Sequence, residues 1–140
     1  MKKTLLVDGN NLFKIGFHGV KDYFHNGNHI GGLFHFINTL RKFIDEQNFD
    51  KVVVFWDGEE SSLSRKKIYH LYKQNRKSRL RSEEEVSSYN YQRSRIKQYL
   101  EEIYIRQVEI DGCEADDGIA YYVKNSPNEN KLIYTNDRDL

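Results

Sequence analysis

Seven acidic side chains carry the chemistry that this sequence could perform: Asp8, Asp57, Glu114, Asp116, Asp117, Asp137 and Asp139. They follow short apolar runs. Leu5-Leu6-Val7 precedes Asp8, Lys51–Trp56 precedes Asp57, a run near Ile105 to Ile110 precedes the Glu114-Ala115-Asp116-Asp117 block, and Lys131–Thr135 precedes Asp137 and Asp139. Gathered at one edge, such acids would repel and raise one another's pKa unless a multivalent cation neutralised them. Hard carboxylate oxygens with no His or Cys nearby select Mg²⁺ or Mn²⁺ over zinc or copper. Two such ions, about 3.5–4 Å apart, can activate a water and stabilise the departing oxygen of a phosphodiester. Taken singly, each acid has a plainer reading. An Asp before Gly, as at Asp8, Asp57 and Asp111, forms turns or caps helices, and Glu114, Asp116 and Asp117 complement a helix dipole. A joint role is favoured because an acid recurs at four successive strand ends.

The elements that must position these acids are legible in the apolar pattern. Leu5-Leu6-Val7 ends at Asp8-Gly9-Asn10-Asn11, which reads as a buried strand followed by a turn. From Gly31-Gly32 onward, Leu33, Phe36, Ile37, Leu40, Phe43 and Ile44 form a helical stripe. Lys51–Trp56 is a β-branched and aromatic run, the pattern of a strand buried on both faces. The stretch from about Ser64 to Tyr104 lacks Gly and Pro and reads as two helical pieces, broken near Ser82 or at Ser87-Ser88-Tyr89-Asn90. The second piece sets Ile96, Tyr99, Leu100 and Ile103 on one face. A third strand near Ile105 to Ile110, a helix through Ile119, Ala120 and Val123, and a fourth strand at Lys131–Thr135 complete the path. Alternating strands and helices imply an α/β fold with a mostly parallel central sheet. Ligands of such sheets gather beyond the carboxyl ends of the strands.

Charge is distributed unevenly. The formal net charge is +1, yet residues 61–99 hold eleven Lys and Arg against three Glu, leaving the remainder at −7. Between Arg65 and Arg81 stand eight basic residues and no acid, with Tyr69 and Tyr72 interleaved. This composition suits a single-stranded nucleic acid, whose phosphates meet cations while its bases stack on rings. A solvated basic helix face, with the tyrosines in the core, is the bland alternative.

The ordered blocks Leu6-Val7-Asp8-Gly9-Asn10, Phe55-Trp56-Asp57-Gly58 with Arg65 downstream, Tyr72-Lys73-x-x-Arg76, Gly112-Cys113-Glu114-Ala115-Asp116-Asp117 and Thr135-Asn136-Asp137-Arg138-Asp139-Leu140 resemble the 5'-3' exonuclease and flap endonuclease family. Its members include the 5'-nuclease domain of bacterial DNA polymerase I and phage enzymes named ribonuclease H. The resemblance spans essentially the whole chain. It implies a PIN-like α/β fold, residues 1–140 forming one domain with a basic helical arch or clamp within 61–99. It also implies a two-metal 5' nuclease acting on DNA with a free 5' single strand or flap, or on RNA in RNA/DNA hybrids. By the same resemblance, Asp8, Asp57, Glu114 and Asp116 would surround a first ion, Asp117, Asp137 and Asp139 would lie toward a second, and Asp8, Asp57 and Asp116 would be catalytic. Lys73 and Arg76 would contact the scissile phosphate, and Tyr72 would stack on an unpaired base. Arg65, Lys66, Lys77, Arg79 and Arg81 would line the path of the strand. Family members continue past the Asp-x-Asp-Leu block into further acidic ligands and a duplex-gripping element. A C-terminal continuation, or a partner such as a replication protein supplying it, is therefore expected. Trp56 before Asp57, and Asn136 and Arg138 around Asp137, depart from the family pattern. A PIN-type endoribonuclease and a non-catalytic nucleic-acid-binding module are the competing readings.

Composition narrows the setting. With 140 residues there is room for one core, and 14% aromatics argue against disorder despite the polar balance. One Cys excludes an internal disulfide and a Cys-based zinc site, which suits an intracellular, reducing compartment such as the cytoplasm. The apolar stretch near the N-terminus is too short for a signal peptide or a membrane span. The histidines at 18, 25, 29, 35 and 70 have no zinc-site spacing and read as surface or partly buried residues. Cys113 reads as a small core residue, and Gly27, Gly31 and Gly32 as a flexible turn near the nucleic acid rather than a phosphate loop.

Overall fold

The computed structural model describes residues 2–20, 23–58 and 82–135. Its elements run β1 (Lys2–Asp8), α1 (Gly9–Gly19), β2 (Phe24–His25), β3 (Asn28–His29), α2 (Gly31–Glu46), β4 (Lys51–Asp57), α3 (Glu83–Glu102), β5 (Arg106–Ile110), α4 (Ala115–Asn125) and β6 (Glu129–Tyr134). The expected fold class holds: a four-stranded sheet in the order β5-β4-β1-β6, with every pairing parallel, is flanked by helices. The chain adds β4 and then β5 on one side of β1, and returns with β6 to the other. The strand order therefore reverses at β1, next to the carboxyl ends where parallel sheets hold ligands.

Side-chain alternation assigns the two faces. Leu5 and Val7 of β1 join Val54 and Trp56 of β4 beneath Leu12, Phe13 and Phe17 of α1, Phe36 and Leu40 of α2, and Ile96 and Leu100 of α3. Phe36 stacks on Trp56 at 5.6 Å between ring centroids. On the opposite face, Leu6, Val53 and Phe55 meet Ala115 and Ile119 of α4, the one helix packed there among the described residues. Each fully buried large side chain contributes on the order of 1.5–3 kcal/mol. The thicker, three-helix face accordingly anchors the domain.

Three details differ from the sequence reading, and one open alternative is decided. No turn separates β1 from a helix: α1 begins at Gly9, because Asp8 caps it by accepting a hydrogen bond from the Asn11 amide at 3.1 Å. Gly31 and Gly32 are not a turn either. They open α2, while Asn26 and Gly27, at φ 51° and 80°, make the tight turn of the β2–β3 hairpin. The Ser82 side chain caps the start of α3, at one of the two positions that the sequence offers, and the helix runs uninterrupted through the other, Ser87–Asn90. Ile103 lies past the end of α3 and is 43% exposed, off the buried face that Ile96 and Leu100 share.

Candidate active site

Asp8 and Asp57 end two neighbouring parallel strands, and Glu114, Asp116 and Asp117 surround the start of α4 just beyond the third. Hydrogen bonds hold these ends together. The Asp57 amide donates to the Asn10 Oδ1 at 2.9 Å, and the Asp57 Oδ1 accepts from the Ala115 amide at 2.8 Å, fastening the β4 terminus to α1 and α4 at once. Asp8 accepts from Asn11 through one oxygen and from the Thr135 hydroxyl, 3.3 Å away, through the other. The Asp117 Oδ2 accepts from the Glu114 amide at 3.2 Å, half of a capping box. Thus the plain capping role is realised at Asp8, at Asp57 and at Asp117. It coexists with a concentration of negative charge.

The electrostatics show that concentration. Burial pushes the Asp8 carboxyl up to about 6; the Asn11 amide opposes the rise, and the charges of Asp57 and Asp116 add to it. Asp8 and Glu114 are buried, Asp57 and Asp116 half-buried. Burying two anions beside a third is costly unless a cation joins them. The donors are all carboxylate oxygens, which suits a hard divalent ion in kind and in charge. Among the described residues, no three such side chains close into a ready-made ligand cluster.

Room for this arrangement depends on Gly58. A Cβ there would lie 1.9 Å from the Ile110 carbonyl oxygen, so only glycine lets β4 leave the sheet against the end of β5. The Gly58 amide in turn donates to the Cys113 carbonyl at 2.9 Å, tying β4 to the loop that carries Glu114.

Several residues of the site were not singled out in the sequence. Asn10 bridges the ends of β1 and β4. Tyr89 of α3 reaches Asn10 and sits edge-on to Phe13 and Phe17, its phenol pKa raised by burial. Arg93, four residues later on the same helix face, donates to the Asp57 carbonyl at 3.3 Å. Gln92 is fully buried, accepting from the Leu33 amide and bonding Ser88 and His29, so that α3 is pinned to the start of α2. The i, i+4 spacing of Tyr89 and Arg93 was the available signal. Asp137 and Asp139, and Arg65, Lys66, Tyr72, Lys73, Arg76, Lys77, Arg79 and Arg81, lie outside the described residues. Cys113 was expected as a small core residue, but it is half-buried in the loop before α4 and belongs to neither core cluster.

A family model described as the 5'-3' exonuclease N-terminal resolvase-like domain matches residues 3–140. The chain belongs to the 5'-3' exonuclease family. A 5'-3' exonuclease of Halalkalibacterium halodurans is 34% identical across 97% of this chain and 46% of its own length. The DNA polymerase I of Borreliella burgdorferi is 29% identical across 100% of this chain and 15% of its own. The chain therefore spans less than half the length of the curated relatives it matches. Among solved structures, a phage T5 protein co-crystallised with metal ions superposes at a TM-score of 0.70 with 24% identity, over 99% of this chain and 49% of that one. A phage T5 flap endonuclease, in a pseudo-enzyme-product complex with DNA and metal ions, superposes at 0.68 with 24% identity, over 98% and 50%. These superpositions establish the shared 5'-3' exonuclease fold. Among the described residues, no helix is long and apolar enough to cross a membrane.

Proposed function

We propose that this domain is the catalytic portion of a divalent-metal-dependent 5' nuclease, hydrolysing phosphodiester bonds near a free 5' end or flap in DNA, or in RNA of RNA/DNA hybrids. The observation that carries this reading is the gathering of acids at the strand ends: Asp8, buried and capping α1, lies with Asp57 and Asp116 near enough that burial and their charges push its carboxyl up to about 6. A bound Mg²⁺ or Mn²⁺ would relieve that pressure. Asp8, Asp57, Glu114 and Asp116 would hold one ion, and Asp117, Asp137 and Asp139 would lie toward a second. Bound there, the ions supply Lewis-acid activation of water and a sink for charge on the departing oxygen.

The chain's own residues do the rest. Asn10, the Ala115 amide and Arg93 fix Asp57 through its amide, its carboxylate and its carbonyl, so its orientation is set before substrate arrives. Lys73 and Arg76 neutralise the scissile phosphate, and Tyr72 stacks on the unpaired base. Arg65, Lys66, Lys77, Arg79 and Arg81 draw in the 5' strand by charge. Two related structures support the reading by analogy: a T5 flap endonuclease in complex with DNA and metal ions, and a T5 5'-exonuclease with bound zinc.

Cleavage of a 5'-labelled flap duplex in Mg²⁺, beside an EDTA control and Asp116→Asn, tests the proposal. Metal-dependent cutting near the junction, lost in the variant, is expected. A chain that binds the flap in a salt-sensitive way and leaves it intact would instead be a nucleic-acid-binding module. Cutting of single-stranded RNA without need of a 5' end would point to an endoribonuclease.

A further inference from the structure

Trp56 immediately precedes Asp57, and the structure gives it a use. Its indole lies under two cations of α3: the Arg93 guanidinium at 5.5 Å and the Lys97 ammonium at 5.3 Å from the ring centroid. The indole Nε1 donates to the Gln107 Oε1 at 2.8 Å, and the Gln107 Nε2 donates to the Lys97 carbonyl at 3.0 Å. Glu109 of β5 accepts from Lys97 and, at 3.5 Å, from Arg93. Two cations thus share one carboxylate above one ring. Only Arg93 reaches on to the site, through its bond to the Asp57 carbonyl.

We propose that Arg93 is a positioning residue for Asp57, held on the Trp56 indole so that the aspartate presents its carboxylate to a divalent cation in one orientation. This rests on the metal-dependent reading above. Three contacts fix Asp57: its amide on Asn10, its Oδ1 on Ala115 and its carbonyl on Arg93. Arg93 is the one that α3 brings, and α3 is locked in place by the buried Gln92. A planar guanidinium can lie on a ring and still donate sideways, which an ammonium does less well. Lys97, over the same indole, has no corresponding bond to Asp57 among the described residues.

The sign of the effect makes the proposal testable. By charge alone, removing a cation beside an acidic site should tighten metal binding. A positioning role requires the opposite, because partners that orient a ligand typically govern roughly tenfold or more in metal affinity. Titration of the chain with Mn²⁺ alone, without nucleic acid, is expected to show Arg93→Gln weakened about tenfold. Lys97→Gln, which removes the same charge, should stay within about twofold of the parent. Trp56 is the only tryptophan, so its fluorescence reports on the same samples whether the platform is intact. Parent-like or tighter Mn²⁺ binding by Arg93→Gln would overturn the proposal, as would equal losses in both variants. Should Arg93→Gln fail to fold, Trp56→Phe keeps an aromatic core residue and removes the Gln107 bond; weakened Mn²⁺ binding is expected, and parent-like binding overturns the role of the platform. Asp57→Asn separates the two readings. If it binds Mn²⁺ like the parent, the metal-dependent function itself fails; if it loses Mn²⁺ while Arg93→Gln does not, only the role of Arg93 does.

Discussion

Asp8 shows how one residue can serve both architecture and chemistry. It caps α1 and also carries a charge that the fold resists, since its carboxyl sits near 6 rather than 3.8. For a carboxylate raised in this way, the contribution to stability is full below about 4 and is lost as pH rises through about 6. The metal-free chain should therefore gain stability between pH 7 and pH 4 from this group. Asp8→Asn keeps a good cap and removes the charge. At neutral pH the variant should unfold at higher denaturant concentration, by up to about 3 kcal/mol, with the advantage shrinking as pH falls through about 6. Chemical denaturation of both proteins across that range checks it. Saturating Mn²⁺ should reverse the ranking, because the parent alone keeps its full charge for the ion. Such an acid is readable in sequence only as Asp-Gly, which is equally the signature of a cap. The structure shows the cap, and the metal-binding role of the same side chain is the one proposed above.

At the scale of elements, the strand ends and long helices were legible because each rests on local periodicity. Lys51–Trp56 and the stripe from Leu33 to Ile44 needed only their apolar spacing to declare a buried strand and a one-sided helix. Elements defined by distant partners were not legible. The α1 helix hid behind Asp8-Gly9-Asn10-Asn11, since turn residues and a helix start share a composition. Asn10, Tyr89 and Arg93 gained their roles only when β4 and α3 arrived beside them. Gly58 is similar, for nothing local reveals that the Ile110 carbonyl fills the space of its missing Cβ. Gly58→Ala should accordingly cost about 1–3 kcal/mol by forcing β4 and β5 apart, and thermal melts should show it. At the opposite end of the sheet, Glu129 accepts hydrogen bonds from Thr4 at 2.6 Å and from Tyr122 at 2.8 Å, which with Lys51 hold its carboxyl down to about 2. A depressed carboxylate contributes stability above its unfolded pKa and loses it as pH falls toward 2. Thr4→Val should therefore move the midpoint of acid unfolding to higher pH, measurable by circular dichroism.

Charge divides the sequence: residues 61–99 are basic and the remainder acidic, and the near-neutral total conceals both. Affinity for a 5' single strand should then fall steeply with salt. For four to eight phosphate contacts, the logarithm of the binding constant should drop with the logarithm of salt at a slope of roughly −3 to −6. Fluorescence anisotropy at several salt concentrations reads that slope, and a flat response would remove the basic block from the binding site. The strand order carries a further consequence, one of timing. β1 is synthesised before β4 and β6, yet Leu5 pairs with Val52 on one side and with Leu132 on the other. Closing the second pairing spans most of the chain, and such distant contacts fold slowly because their entropy is spent before they gain anything. On a ribosome adding about 5–20 residues per second, the Asp8 strand stays open along one edge until β6 emerges. A nascent chain therefore presents an unpaired, apolar strand edge for seconds, a target for chaperones and for aggregation alike, and Thr135 joins Asp8 only after that edge has closed.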